Sequence, residues 1–231
     1  MKRIAVLQSN YIPWKGYFDI IRSVDEFIIY DDTQYTKRDW RNRNLIKTRQ
    51  GLKWLTIPVK VKGRFTQTVN ETRISNYKWA EKHWKAITYH YNKARYFNIY
   101  QDLFEKTYKK ASNLEYLSEI NLLFIAIINQ ILGIHTKISS STEYLLRGDK
   151  NHKIISVCQQ TGADTYITGP SAKKYIMETL FLKAGIKIEY FNYEGYPQYE
   201  QQFGSFCHNV SIIDLIFSTG QKANLYLKSS R

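Results

Sequence analysis

Two neighbouring carboxylates, Asp31 and Asp32, follow the apolar run "EFIIY". Such a pair can hold a cation, bind sugar hydroxyls or orient a base, and mutual repulsion raises the proton affinity of one member toward that of a general base. His83, between Lys82 and Trp84, is a further candidate for acid/base work. His90 lies seven positions later, about two turns or roughly 10 Å along a helix. That separation is too large for two ligands of one zinc ion, and no HxxxH or HExxH pattern occurs, so no metal site is expected.

Polar and aromatic side chains crowd a second stretch, "LQSNYIPWKGYF", where Gln8, Asn10, Tyr11 and Trp14 are candidates to bind a substrate. Tyr11 and Trp14 would stack on a sugar or base. Beyond the aspartates, the segment from Tyr35 to Arg49 interleaves cations with aromatic and amide groups. Its candidates are Trp40, Arg41, Asn42, Arg43 and Lys47. Asn10, Asn42 and Lys47 supply donors for an oxyanion. Toward the C-terminus, Asp149 and Lys150 precede a helical pattern, suited to a cap and a phosphate contact. Gly169, Pro170 and Ser171 stand between a strand and a helix, where free amides and the dipole favour an anion. No Walker loop, GxGxxG, GxSxG or kinase set is present.

These groups need a scaffold that gathers them. Ile4 to Leu7 is short, apolar and branched, Gly16 to Ser23 reads as a helix and "EFIIYDD" as a second strand, the layout of a parallel βαβ unit. In such sheets ligands bind beyond the carboxyl ends of the strands, where both the first loop and Asp31-Asp32 would lie. "KWLTIPVKV" and "TQTVNETRI" read as further strands. The pattern from Lys78 to Gly133 is helical, and α/β alternation then returns, with a helix expected from Ser171 to Ala184. The expected fold is α/β, a mostly parallel sheet with flanking helices and a helical insertion in the middle of the chain. We expect one domain over residues 1–231, with 78–133 as a helical subdomain or insertion.

Composition narrows the partners. The 34 Lys and Arg against 20 Asp and Glu give a formal charge of +14, a field that attracts anionic ligands or nucleic acid. Aromatic residues make up 15% of the chain, which excludes a disordered polymer and predicts aromatic-walled clefts. Cys158 and Cys207 lack any ligand spacing and read as free thiols of a reducing compartment. The longest apolar run, "LLFIAIINQIL", is broken by Asn129 and Gln130 and is far shorter than the roughly 20 residues of a membrane span. A cytoplasmic protein is expected, its oligomeric state left open.

"LQSNYIPWKGYFDII", "YDDTQYTKRDWRNRN", "KHWKAI" with "YNKARYF", "GDKNHKIISVCQQTGADTYITGPS" and "YPQ" with "SIIDLIFSTG" resemble, in that order, the WbqC-like family of bacterial polysaccharide-cluster proteins. The resemblance implies glycyl or other N-acyl transfer to an amino sugar in O-antigen biosynthesis, with a nucleotide-linked sugar as substrate and an activated acyl or aminoacyl donor, such as an aminoacyl-tRNA. The family usually has Gln-Pro-Asn where this chain has Gln8-Ser9-Asn10, and often a histidine where it has Leu7. The first loop also resembles that of HxGH-type nucleotidyltransferases, with Gly16-Tyr17 in place of Gly-His. That likeness implies ATP-dependent nucleotidyl transfer or amide ligation as the alternative. A third reading makes the segment from Tyr35 to Arg49 a binding surface for RNA.

Overall fold

The computed structural model describes residues 1–229. Its first βαβ unit comprises β1 (Arg3–Leu7), α1 (Lys15–Arg22) and β2 (Glu26–Ile29). An antiparallel hairpin follows, β3 (Arg43–Thr48) with β4 (Gly51–Thr56). Three helices succeed it, α2 (Trp79–Tyr91), α3 (Phe97–Ala111) and α4 (Leu117–Leu132). The chain then returns to the sheet with β5 (Lys137–Ser140), α5 (Lys150–Thr161), β6 (Thr165–Thr168), α6 (Glu178–Lys183) and β7 (Lys187–Tyr190). It closes on α7 (Ile212–Thr219).

The main sheet is parallel throughout, in the order β5-β2-β1-β6-β7. Strand order therefore reverses between β1 and β6, the place where open α/β sheets leave a crevice at the carboxyl ends. Because side chains alternate across a strand, the sheet sends its apolar residues into two layers. Ile4, Val6 and Ile28 pack with Ile155, Cys158 and Phe181 of α5 and α6. Ala5, Phe27 and Ile29 pack on the other face with α1, the three middle helices and α7. Each fully buried Ile or Phe of these layers contributes about 1.5–3 kcal/mol.

The hairpin and the helical middle form the crossover from β2 to β5, which are sheet neighbours. The α4 helix ends at Gly133 with φ +65°, a left-handed cap that a side chain would strain. Two expected elements differ. The stretch "TQTVNETRI" makes turns with single bridges, Gln34 to Thr68 and Val59 to Ile74, instead of a strand. The expected helix from Ser171 to Ala184 is broken into a 3₁₀ turn, Pro170–Lys174, and α6. Asn151 causes the break, since its side chain accepts from the Met177 N–H at 3.0 Å and donates to the Tyr175 carbonyl at 3.3 Å. Among the described residues no helix is long and apolar enough to cross a membrane.

Candidate active site

In-register pairing of Leu7 with Ile29 and of Ile29 with Ser140 brings the ends of β1, β2 and β5 to one edge. Gln8 to Asn10, Asp31-Asp32 and Ser141 meet there. The two aspartates take different tasks. Asp31 is buried and accepts from Ser9 twice, from the N–H at 2.8 Å and from the hydroxyl at 2.6 Å. Burial raises its proton affinity, against the Ser9 hydrogen bonds and the Arg41 charge. Asp32 is half-buried and accepts from Asn70 Nδ2 at 2.8 Å and Ser141 Oγ at 2.7 Å. Asp31 thus anchors the first loop, while Asp32 lines the cleft.

That cleft has a volume of about 520 Å³. Val6, Leu7 and Gln8 form one wall, Lys150 and Lys153 of α5 another, and Tyr30, Thr168 and Tyr175 contribute further groups. Two lysines and one carboxylate thus share a space large enough for a nucleotide-sized ligand. A smaller pocket of about 250 Å³ lies beyond the first loop, lined by Asn10, Pro13, Trp14, Trp40, Asn44 and Asn209. Aromatic walls with amide groups suit a neutral polar ring.

Arg41 joins the two spaces. One guanidinium nitrogen donates to Gln8 Oε1 at 2.8 Å and the other to Asn10 Oδ1, and Asp39 lies 3.5 Å away. Gln8 Nε2 in turn donates to Thr33 Oγ1 at 2.9 Å. Beneath them, Asn121 of α4 donates to Ser9 Oγ at 3.0 Å and to the Arg41 carbonyl at 2.9 Å. The loop also carries strain, because Ile12 has φ +36°, a region disfavoured for a β-branched residue. Asn44 Nδ2 donates to the carbonyls of Tyr11 at 3.1 Å and Ile12 at 3.0 Å, and Ser211 Oγ donates to the latter at 2.7 Å. Those bonds hold a conformation costing on the order of 1–3 kcal/mol.

Other candidates lie apart from the cleft. Tyr11 is fully buried, its hydroxyl 2.9 Å from His83 Nδ1 and 2.8 Å from the Tyr108 hydroxyl. No ring face is left for stacking on a ligand, because Trp79 and Phe124 pack edge-on against it. His83 is buried in the same core, and burial pushes its imidazole down to about 4, outweighing a hydrogen bond with the Thr56 backbone. It lines neither space. Asn42 is buried and donates to the Ile57 carbonyl at 2.8 Å. Lys47 is buried, donating to Gln201 Oε1 at 2.9 Å and the Ser205 carbonyl at 2.6 Å. Arg43 stacks 4.0 Å from the Trp54 ring centre. The cations between Tyr35 and Arg49 are therefore dispersed over several surroundings.

Asp149 caps α5 through the N–H groups of Asn151 and His152, which puts Lys150 at the cleft wall. Gly169 precedes, and the exposed Ser171 lies within, a 3₁₀ turn too short to develop a helix dipole. Sequence reasoning missed Thr33, Asn70, Asn121 and Lys153. Only Asn121 left a trace, an amide on the buried face of α4, as Asn129 also is. Among the described residues, no cluster of three or more His, Cys, Asp or Glu side chains could hold a metal ion.

A sequence model of the WbqC-like protein family matches residues 8–226. The uncharacterized protein Rv1507c of Mycobacterium tuberculosis is 47% identical over 231 residues, which cover 100% of both chains. No solved structure matches the chain.

Proposed function

The chain belongs to the WbqC-like protein family, and on that premise we propose an N-acyl or aminoacyl transferase acting in the cytoplasm on a nucleotide-linked amino sugar for surface-polysaccharide (O-antigen) assembly. The observation that carries the reading is the shared cleft of Asp32, Lys150 and Lys153. Lys150 and Lys153 hold the diphosphate of the sugar nucleotide, and Tyr30 and Tyr175 wall its base. Trp14 and Trp40 face the sugar across Asn10. An amine attacks only when deprotonated, and Asp32 is the carboxylate in the cleft that takes its proton. The amine nitrogen then bonds to the donor's carbonyl carbon, and the bond from that carbon to the leaving group breaks. Asn10, from the adjoining pocket, is the amide we assign to the oxyanion.

The test is mass spectrometry of nucleotide-linked amino sugars mixed with the protein and an activated donor, either an acyl thioester or glycyl-tRNA. A product heavier by the acyl or glycyl group supports the reading, and its absence with every sugar and donor overturns it. ATP-dependent nucleotidyl transfer or ligation is the second reading, favoured by the reversal of strand order between β1 and β6. Release of pyrophosphate or AMP that depends on glycine or the amino sugar would favour it over direct transfer.

A further inference from the structure

Two adjoining depressions lie between the β3–β4 hairpin and α2, apart from the strand-end cleft. The first, about 860 Å³, is lined by Lys53, Trp54 and Lys85, and the second, about 620 Å³, by Arg49, Lys93 and Phe203. Gln50, Tyr89 and His90 belong to both, so the two form one groove.

Its make-up follows from the elements. Lys85, Tyr89 and Lys93 recur every four residues and mark one helical stripe running off the end of α2. Among the described residues β4 pairs only with β3, and its side chains are exposed at all positions but Leu55. Tyr89 is 74% and Trp54 41% exposed. Arg43 stacks on the Trp54 ring, and Arg49 lies 5.9 Å from the ring of Phe203. Phe203 has φ +64°, a strained conformation for an aromatic residue. Among the described residues no acidic side chain lines either depression, and the nearby Glu81 is paired with Lys85 at 2.6 Å. The field of Lys53 adds to burial in lowering the proton affinity of His90.

We propose that this groove docks a single-stranded RNA segment, with bases stacked on Tyr89 and Phe203 and phosphates held by Arg49, Lys53 and Lys93. An exposed ring, Tyr89, and a half-buried one, Phe203, interleaved with cations are what unpaired bases on a phosphate backbone require. Gln50, Asn92 and Gln202 add amides that pair with 2′-hydroxyls. The proposal is independent of the chemistry at Asp32, because its test reads binding alone.

The experiment is fluorescence anisotropy of the full chain with an end-labelled oligouridine of about 12 nucleotides, between 50 and 200 mM KCl. Binding is expected to weaken with salt by a log–log slope of about −0.7 per phosphate contact. Tyr89→Ala should weaken it about tenfold or more at an unchanged melting temperature. Lys53→Gln with Lys93→Gln should flatten the slope by about 1.4. No binding at 50 mM, binding unchanged in both variants, or equal affinity for oligothymidine or heparin would overturn the proposal.

Discussion

Ser9 gives Asp31 two hydrogen bonds, from its N–H at 2.8 Å and its hydroxyl at 2.6 Å. The pair ties the loop after β1 to the end of β2, and it turns one of two adjacent aspartates into scaffold. Asp32, one residue on in the turn after β2, lines the cleft instead.

Substitution should separate those roles. Asp31→Asn is expected to destabilise the fold by about 1–3 kcal/mol, because a buried acceptor that two donors face is replaced. Asp32→Asn, at a half-buried position that Asn70 and Ser141 also face, should cost less stability than Asp31→Asn and cut turnover by about a hundredfold or more. Thermal melts and initial rates on the two proteins check this; full turnover in Asp32→Asn would remove it as the base.

Arg41 spans Gln8 and Asn10 with separate nitrogens, which a lysine cannot do. Arg41→Lys should therefore raise KM for the sugar nucleotide by about tenfold, with a smaller change in kcat, since the loop's placement is loosened and the base is kept. Steady-state kinetics with the nucleotide-linked sugar varied would show the split.

Glu26 contributes to acid stability. Burial alone would raise its proton affinity, but hydrogen bonds from Lys137, Lys2, Tyr144 and Ser139 outweigh it and hold the carboxyl at about 2, against an ordinary 4.5. A depressed acid stabilises the fold above its unfolded pKa and loses that contribution as pH falls through the folded one. Urea unfolding from pH 6 to 2.5 should show stability declining below about 4.5, with a shallower decline in Glu26→Gln. Asp31 and Asp214, raised by burial, act in the opposite sense, so the difference between the two proteins is the quantity to compare.

At Lys15 burial outweighs the partner charges. Its ammonium is buried, donates to the Pro197 carbonyl at 2.9 Å and sits 5.0 Å from the ring centre of Tyr196. Burial lowers it from 10.5 to about 8, while Asp19 and Asp214 resist the change. Between about 8 and 10 the unfolded chain binds more protons, so stability should rise with pH. Lys15→Met should abolish that rise in urea titrations at pH 7.5 and 9.5.

Much of the scaffold was legible in the residues. Short branched runs at Ile4 and Phe27, with glycines after the helices at Leu132 and Thr161, carry their own periodicity and stop signals. The family was legible too, because its motifs run along nearly the whole chain. What misled was the assumption that side chains crowded together in sequence face the same space. Tyr11 and His83 are polar enough to read as site residues, yet each satisfies the other inside the core.

Local sequence, then, determined the parallel α/β class, the helical middle and the strand-end position of Gln8, Asn10 and Asp32. Tertiary structure alone decided which polar groups remain open to a ligand. Hydrogen-bond satisfaction is a property of pairs far apart in the chain: Asn121 reaches Ser9, Asn70 and Ser141 reach Asp32, and Gln201 reaches Lys47. A buried donor or acceptor must find such a partner, and that matching places Asp32, Lys150 and Lys153 along the candidate cleft.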